Sequence, residues 1–177
     1  MRATVRITAL VVLSMLALAC AAPPADQAAG SGGSTNVAAE QQDAEGGEVR
    51  NFSVTSFAGR DFTLSAKRGS PVVLNFFESW CTVCRAEQPH LNQLAERYKG
   101  KVAFIGVSNN DSVSDGEAYA GELEVPYPLA HAPGVWELYE VPYQPVTIVF
   151  ASDGAVASRI EGPITLDGLN EIIRQQL

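Results

Sequence analysis

Only three cysteines and two histidines occur in the 177 residues of this chain. That supply leaves little for a metal site: His90 and His131 stand at spacings unlike any compact zinc finger, and a lone pair of neighbouring thiols is half a site at most. Basic residues are scarce as well, 12 against 20 acidic, for a net charge of −8, which disfavours binding to nucleic acid. Residues 21–48 contain no Lys, no Arg and no aromatic side chain, so that stretch cannot bury enough surface to offset the entropy of ordering it. The uncharged apolar run Ile7 to Ala19 falls short of the roughly 20 residues of a membrane-spanning helix. No internal repeat and no second folded domain is visible.

What is present at the N-terminus has the form of an export signal: Arg2 and Arg6 precede the apolar run, and small residues close it. The run ends Leu16-Ala17-Leu18-Ala19-Cys20, which resembles the lipobox of bacterial lipoproteins and implies cleavage before Cys20 and diacylation of its thiol. Ordinary cleavage after Ala17-Leu18-Ala19 is the alternative, giving a soluble secreted protein. Either route puts the domain outside the cytoplasm. Loss of Arg2 and Arg6 with the leader leaves 10 basic against 20 acidic residues, a net charge of −10. An odd third thiol would be a liability in an oxidising compartment, and acylation of Cys20 removes it, leaving Cys81 and Cys84. The expected organisation is therefore a signal at 1–19, an anchor cysteine with an acidic tether at 20–48, and one folded domain at 49–177. A tether of that length holds the domain on the order of 30 Å from a bilayer.

Within the domain, Phe52, Val54 and Phe57, then Gly59-Arg60-Asp61, then Phe62 and Leu64 read as a hairpin. Val72 to Phe77 is a nearly unbroken apolar run of the kind covered on both faces of a sheet, with Asn75 its polar exception. Helical spacing begins at Cys81, because Cys84, Glu87, Leu91, Leu94 and Tyr98 recur at three- and four-residue intervals and share a face. Pro89 removes a backbone N–H and should kink this helix; Gly100 should end it. Lys101 to Val107 reads as a second core strand, and Ser114 to Leu123 as a helix with Tyr119 and Leu123 inward. Three extended-looking residues within Val125 to Ala132 and a short helix from Val135 to Glu140 follow. Val146 to Phe150, an Asp153-Gly154 turn and Ala155 to Ile160 form an antiparallel pair, and a helix from Leu166 carries Leu169, Ile172 and Ile173 on one face. The main order is hairpin, β, α, β, α, β, β, α, an α/β domain built on a βαβ unit.

The chemistry concentrates in Asn75 to Pro89, NFFESWCTVCRAEQP. A thiol at the first turn of a helix faces unpaired N–H groups and the positive end of the dipole, which favours its thiolate. Cys81 is accordingly the attacking thiol, and Cys84, one turn further in, resolves the mixed disulfide. A purely structural bridge across so small a loop would stabilise little, which favours redox work. Glu87 lies three residues after Cys84 on the apolar stripe; burial would raise its pKa and let it act as general base toward Cys84, while pairing with a distant cation would make it merely structural. Trp80 frames and shields the site. His90 reads as a surface residue, Glu78 and Glu117 as solvated acids, and Trp136, Tyr139 and Tyr143 as groove or core residues.

The string F-x-x-S-W-C-x-x-C-R-x-E-x-P from Phe77 to Pro89, the leading hairpin, and V-P-x-x-P before a strand ending in D-G, from Val141 to Gly154, together resemble the thioredoxin superfamily in its extracytoplasmic TlpA/ResA-like branch. Within it the chain is most similar to the secreted and lipid-anchored DsbE and DsbF type proteins of actinobacteria. The resemblance covers 49–177. It implies a thioredoxin-like fold with an N-terminal hairpin and a central mixed sheet flanked by helices. It also implies Cys81 and Cys84 as the exchanging pair, Glu87 as the family's glutamate, and Pro145 as a cis-proline lining a substrate groove with Trp80 and Gln144. The chain departs from the family at Val83, where many members have Pro, and at Gln144, where Thr or a β-branched residue is common. The implied activity is thiol–disulfide exchange with exported proteins, with no metal, nucleotide or flavin beyond the Cys81–Cys84 pair, and with a redox partner in the membrane. Its direction, oxidant or reductant in cytochrome c maturation, follows the potential, and the actinobacterial resemblance inclines to oxidant. The rivals are a thiol peroxidase, whose usual T-x-x-C loop Thr82 does not reproduce, and a binding lipoprotein with an inert disulfide.

Overall fold

A computed structural model describes residues 50–177 of the protein. The expected signal, Cys20 and the tether lie outside the described residues. The elements are β1 (Ser53–Thr55), β2 (Asp61–Thr63), β3 (Val72–Phe76), α1 (Thr82–Arg97), β4 (Ala103–Ser108), α2 (Val113–Glu122), β5 (Leu129–His131), α3 (Pro133–Leu138), β6 (Val146–Phe150), β7 (Val156–Glu161) and α4 (Leu166–Arg174). β1 and β2 form a separate antiparallel hairpin, and the other five strands form one sheet in the order β5-β4-β3-β6-β7. β3, β4 and β5 run parallel, whereas β6 and β7 are antiparallel additions. This is the mixed α/β, thioredoxin-like arrangement expected.

β3 sits at the centre because its residues can be buried on both faces. Val72, Leu74 and Phe76 point to one core, which the hairpin residues Phe52 and Phe62 and the α3 residues Val135 and Trp136 complete. Val73 and the following Phe77 point to the other, with Cys84, Leu91, Leu94, Leu169 and Ile173 from α1 and α4. Alternation along the strand therefore sends Asn75 toward α1. Full burial of Leu91 and Leu94 contributes about 1.5–3 kcal/mol each, enough to hold α1 against the sheet. α1 continues through Pro89, which lies on its exposed side. The helix ends at Arg97, and Gly100, at φ +78°, takes the left-handed turn into β4 that other residues adopt at a cost.

The main order read from the pattern omitted one strand. The three extended-looking residues are β5, which pairs parallel with β4 through Gly106↔Leu129, Val107↔Ala130 and Ser108↔His131. A three-residue strand has no measurable period of its own, and its ladder partner is remote in sequence. Leu123 and Ile172 are half-buried, while Tyr119, Leu169 and Ile173 are fully inward.

Phe76 packs edge-on against Trp136, with ring centroids 5.4 Å apart, and against Tyr139 at 6.2 Å. Phe76→Ala is expected to lower the unfolding free energy by about 3–5 kcal/mol through lost contact and a residual cavity, measurable by urea denaturation with the disulfide intact. A loss under about 1 kcal/mol would contradict this packing.

Candidate active site

β3 ends at Phe76, and Phe77 extends its ladder by one bond, donating to the Val107 carbonyl at 3.1 Å. The chain then crosses Glu78-Ser79-Trp80 to reach Cys81, the N-cap of α1. The Cys81 Sγ accepts the Cys84 backbone N–H at 3.1 Å, a helix-start donor aimed at sulfur. Cys81 N–H donates to the Glu78 carbonyl at 3.0 Å, closing a tight turn in front of the helix. A disulfide joins Cys81 and Cys84 with their Cα atoms 5.2 Å apart. Cys81 keeps 8% of its surface exposed and Cys84 only 1%, so the outer sulfur is the one a partner thiol can approach.

Behind the disulfide lies a buried polar seam. Glu87 Oε1 accepts from Asn75 Nδ2 at 3.1 Å and Oε2 from the Ile164 N–H at 2.9 Å; Asn75 Nδ2 also donates to Thr147 Oγ1 at 3.1 Å. Among the described residues no cation pairs with Glu87. Burial pushes its carboxyl above the ordinary range, against the lowering effect of the Ile164 and Asn75 hydrogen bonds and of nearby His90. β3, α1, β6 and the segment before α4 thus meet at one ionisable group on the Cys84 helix face.

A second network backs the same helix. Gln88 Nε2 donates to Tyr127 Oη at 2.7 Å and to Asn92 Oδ1 at 2.8 Å, and its Oε1 accepts from the Tyr119 hydroxyl at 3.0 Å. Tyr119 Oη lies 3.4 Å from the Cys84 carbonyl oxygen. Burial raises both phenols well above their usual range, so they serve as neutral hydroxyls. Gln88 sits beside Glu87 on the helix, but nothing in its spacing announces tyrosine partners from the α2–β5 region.

At the rim, Trp80 is 64% exposed. The Gln144–Pro145 bond is cis, Gln144 is half-exposed, and Pro145 is buried at the start of β6, where its carbonyl accepts the Gly162 N–H at 2.9 Å. β6 is antiparallel to β3 with Phe76 opposite Val146, so Pro145 and the Cys81 loop share one end of the sheet. Tyr143 is exposed and donates to Glu161 at 2.8 Å, whereas Trp136 and Tyr139 belong to the core.

Two expectations need correction. Glu78 is not solvated: it is fully buried, and its carboxylate accepts the Asn109 and Asn110 N–H groups at 3.1 and 3.0 Å. It follows a strand that buries every side chain, and the β4–α2 loop supplies donors that water would otherwise provide. His90 is not a plain surface residue, since it is half-buried and its Nδ1 is shut off from solvent without a hydrogen-bond partner. Glu117 is exposed as expected.

A family model described as the AhpC/TSA family matches residues 46–159. The thiol–disulfide oxidoreductase ResA of Bacillus thuringiensis subsp. konkukian is 29% identical over 133 residues, covering 73% of this chain and 77% of the relative. The soluble secreted antigen MPT53 of Mycobacterium tuberculosis is 32% identical over 109 residues, 60% of this chain and 62% of the antigen. The crystal structure of a secreted Mycobacterium tuberculosis disulfide oxidoreductase homologous to E. coli DsbE superposes with a TM-score of 0.64 at 25% identity, covering 70% of this chain and 95% of that one.

Because the folded-state pKa of Glu87 lies above its ordinary 4.5, the unfolded chain releases this proton first. The stability tied to the protonated form is complete below about pH 4.5 and is lost as pH rises through the raised folded value. Glu87→Gln, which stays neutral, should therefore match wild-type stability in acid and equal or exceed it at neutral pH. Denaturant midpoints across pH 4–8 check this, and a Gln variant that loses ground as pH rises would overturn it.

Proposed function

Since the chain belongs to the AhpC/TSA family and is of the thioredoxin-like TlpA/ResA type, we propose that it is an extracytoplasmic thiol–disulfide oxidoreductase that works through Cys81 and Cys84 and oxidises exported proteins. The observation that carries the reading is the disulfide at the α1 N-terminus, outer sulfur open, inner sulfur buried, with an acid on the same helix face.

In the oxidising direction a client thiolate attacks Cys81 Sγ, the Cys81–Cys84 bond breaks, and Cys84 leaves as a thiolate that takes a proton from the Glu87 carboxyl. A second client thiolate then attacks the client sulfur of the mixed disulfide and Cys81 leaves as thiolate, held by the Cys84 N–H. Two electrons pass from client to protein and the client gains a disulfide. Reversed, the same steps reduce a client disulfide, with Glu87 accepting the Cys84 proton as that thiol attacks. Trp80, Gln144 and Pro145 border the groove for an extended client segment, whose main chain can pair beside the proline. A membrane redox partner returns Cys81 and Cys84 to the disulfide.

Oxidation is favoured because a helix-start thiolate stabilises the reduced form, and about 30 mV corresponds to roughly 1.4 kcal/mol for this two-electron couple. The secreted relatives, together with the Arg2/Arg6 leader, support export, and the Leu16 to Cys20 sequence supports a lipid anchor at Cys20. Mass spectrometry of the mature N-terminus should show a diacylglyceryl cysteine; an unmodified Cys20 or a different start would remove the anchor.

For the exchange itself, Cys84→Ala should accumulate mixed disulfides with client proteins and Cys81→Ala should not, since Cys84 is enclosed. Glu87→Gln should slow resolution by about a hundredfold. Equal trapping by both cysteine variants would defeat the assignment. Equilibration with glutathione decides direction: a potential near or below that of thioredoxin would make the protein a reductant, and rapid peroxide consumption would make it a peroxidase.

A further inference from the structure

The mechanism above leaves two buried acids unused, Glu78 and Asp111, and both act on the loop that leads into Cys81. Glu78, from the β3–α1 loop, accepts through Oε1 from the backbone N–H groups of Asn109 and Asn110 at 3.1 and 3.0 Å, and through Oε2 from Asn110 at 3.2 Å. Asp111, from the β4–α2 loop, answers in the opposite direction. Its Oδ2 accepts the Ser79 N–H at 2.8 Å, and its Oδ1 accepts the Ser79 hydroxyl at 2.8 Å. Each loop thus holds the other's backbone with a carboxylate, and both acids are nearly sealed from water.

The reciprocal bonds draw the two side chains to the same loop junction, Glu78 onto the Asn109 and Asn110 amides and Asp111 onto Ser79. A buried carboxyl beside another acid is harder to ionise. Burial is the main cause holding Glu78 above its ordinary range, opposed by the Asn110 and Asn109 N–H groups and reinforced by the Asp111 charge. The other charged or titratable groups around the pair are few. Arg85 from α1 donates to the Ser79 carbonyl at 3.2 Å but is paired with Glu122 of α2 at 2.5 Å. Tyr119 of α2 lies under the Arg85 guanidinium, and His131 stands opposite Ser108 on β5.

We propose that Glu78 and Asp111 are positioning residues that form a reciprocal carboxyl brace, fixing the Ser79-Trp80-Cys81 segment for thiol exchange. The brace acts through the main chain: Glu78 also supplies the carbonyl that receives the Cys81 N–H, and Ser79 is clamped on both its N–H and its hydroxyl. Without these carboxyl groups the two loops lose their mutual clamps, and the Cys81 sulfur is free to drift from the Cys84 N–H that stabilises its thiolate. The inference adds a positioning device to the exchange reaction proposed above and rests on that reading only for its biological use.

The test reads the brace without any client. In full-length, 15N-labelled protein, the amide shifts of Asn109 and Asn110, which report Glu78, should move together across pH 4–9 with one midpoint above the ordinary carboxylate range, and the Ser79 amide should sense the same step through the brace. The Ile164 amide, which reports Glu87, should follow a separate midpoint. In Glu78→Gln, which keeps an oxygen to accept the Asn109 and Asn110 N–H groups, that common step should vanish. Alkylation of reduced Cys81, followed on its own peptide by mass spectrometry, should fall roughly ten- to a hundredfold at pH 7 in Glu78→Ala and be restored in Glu78→Gln. An Asn110 midpoint in the ordinary range with no matching step at Ser79, or a Glu78→Ala protein alkylated at the wild-type rate, would overturn the brace. If Glu78→Ala does not fold, the amide titration in wild type and Glu78→Gln decides alone. Absence of disulfide exchange with clients would defeat the proposed function and leave these readouts standing.

Discussion

The structure depends on β3 being buried on both faces and paired on both edges. Parallel pairing with β4 and antiparallel pairing with β6 fix its register from Val72 to Phe76, and the Phe77 bond to Val107 carries that register one residue further. The Cys81 loop therefore leaves the sheet from a fixed point in a fixed direction. α1 is fixed in turn by Leu91 and Leu94 packed on the β3 face that Val73 and Phe77 share. A sulfur at the junction of two such elements needs no flexible loop to find its place, the condition for holding a reactive geometry closely.

Polar groups in that core carry a cost unless they are satisfied, and Asn75, Glu87, Thr147, Gln88, Tyr119 and Tyr127 are satisfied largely by one another. Asn75 occupies a position where an apolar residue would pack at least as well, yet its amide ties Glu87 on α1 to Thr147 on β6. The Ile164 N–H supplies the second donor to Glu87, and the Tyr119–Gln88–Tyr127 chain repeats the device on the other flank of the helix. These bonds have direction, so they select one rotation of α1 about its axis, the one that buries Cys84 and leaves Cys81 accessible.

Features that repeat within one element were legible in the sequence. The stripe Cys84, Glu87, Leu91, Leu94, Tyr98 is buried along its whole length, and the unbroken run at 72–77 is the central strand. Gly59 and Gly154 marked turns that carry φ of +70° and +90°. Features that depend on a partner remote in the chain were not legible. Glu78 looked solvated because its donors, Asn109 and Asn110, arrive from a loop that only the β3–β4 pairing brings near. β5 reads from the sequence only as three extended residues, outside the main order, for the same reason, since its ladder to β4 rather than its own three residues makes it a strand. The one available hint for Glu78 was its place between Phe77 and Cys81, both buried, where an acid without a local cation is out of keeping with its surroundings.

The disulfide consequently sits between opposing electrostatic influences, and their balance sets how the pair behaves. The Cys84 N–H and the open helix N-terminus favour negative charge on Cys81. The Glu87 carboxyl on the Cys84 helix face and the buried Glu78 carboxyl in the loop before Cys81 oppose negative charge once they ionise, and burial makes that opposition stronger than it would be in water. Reducing the disulfide introduces thiolate character at the first site and a proton at the second. The state of the acids therefore enters the redox free energy directly, and a proton added to either acid shifts the balance toward the reduced pair. A dithiol flanked only by neutral residues would respond to pH through its own thiols alone. Here the Glu87 and Glu78 carboxyls near one helix start add their own ionisation to that response, so the acidity of the surroundings and the redox balance of the disulfide are tied to the same few side chains.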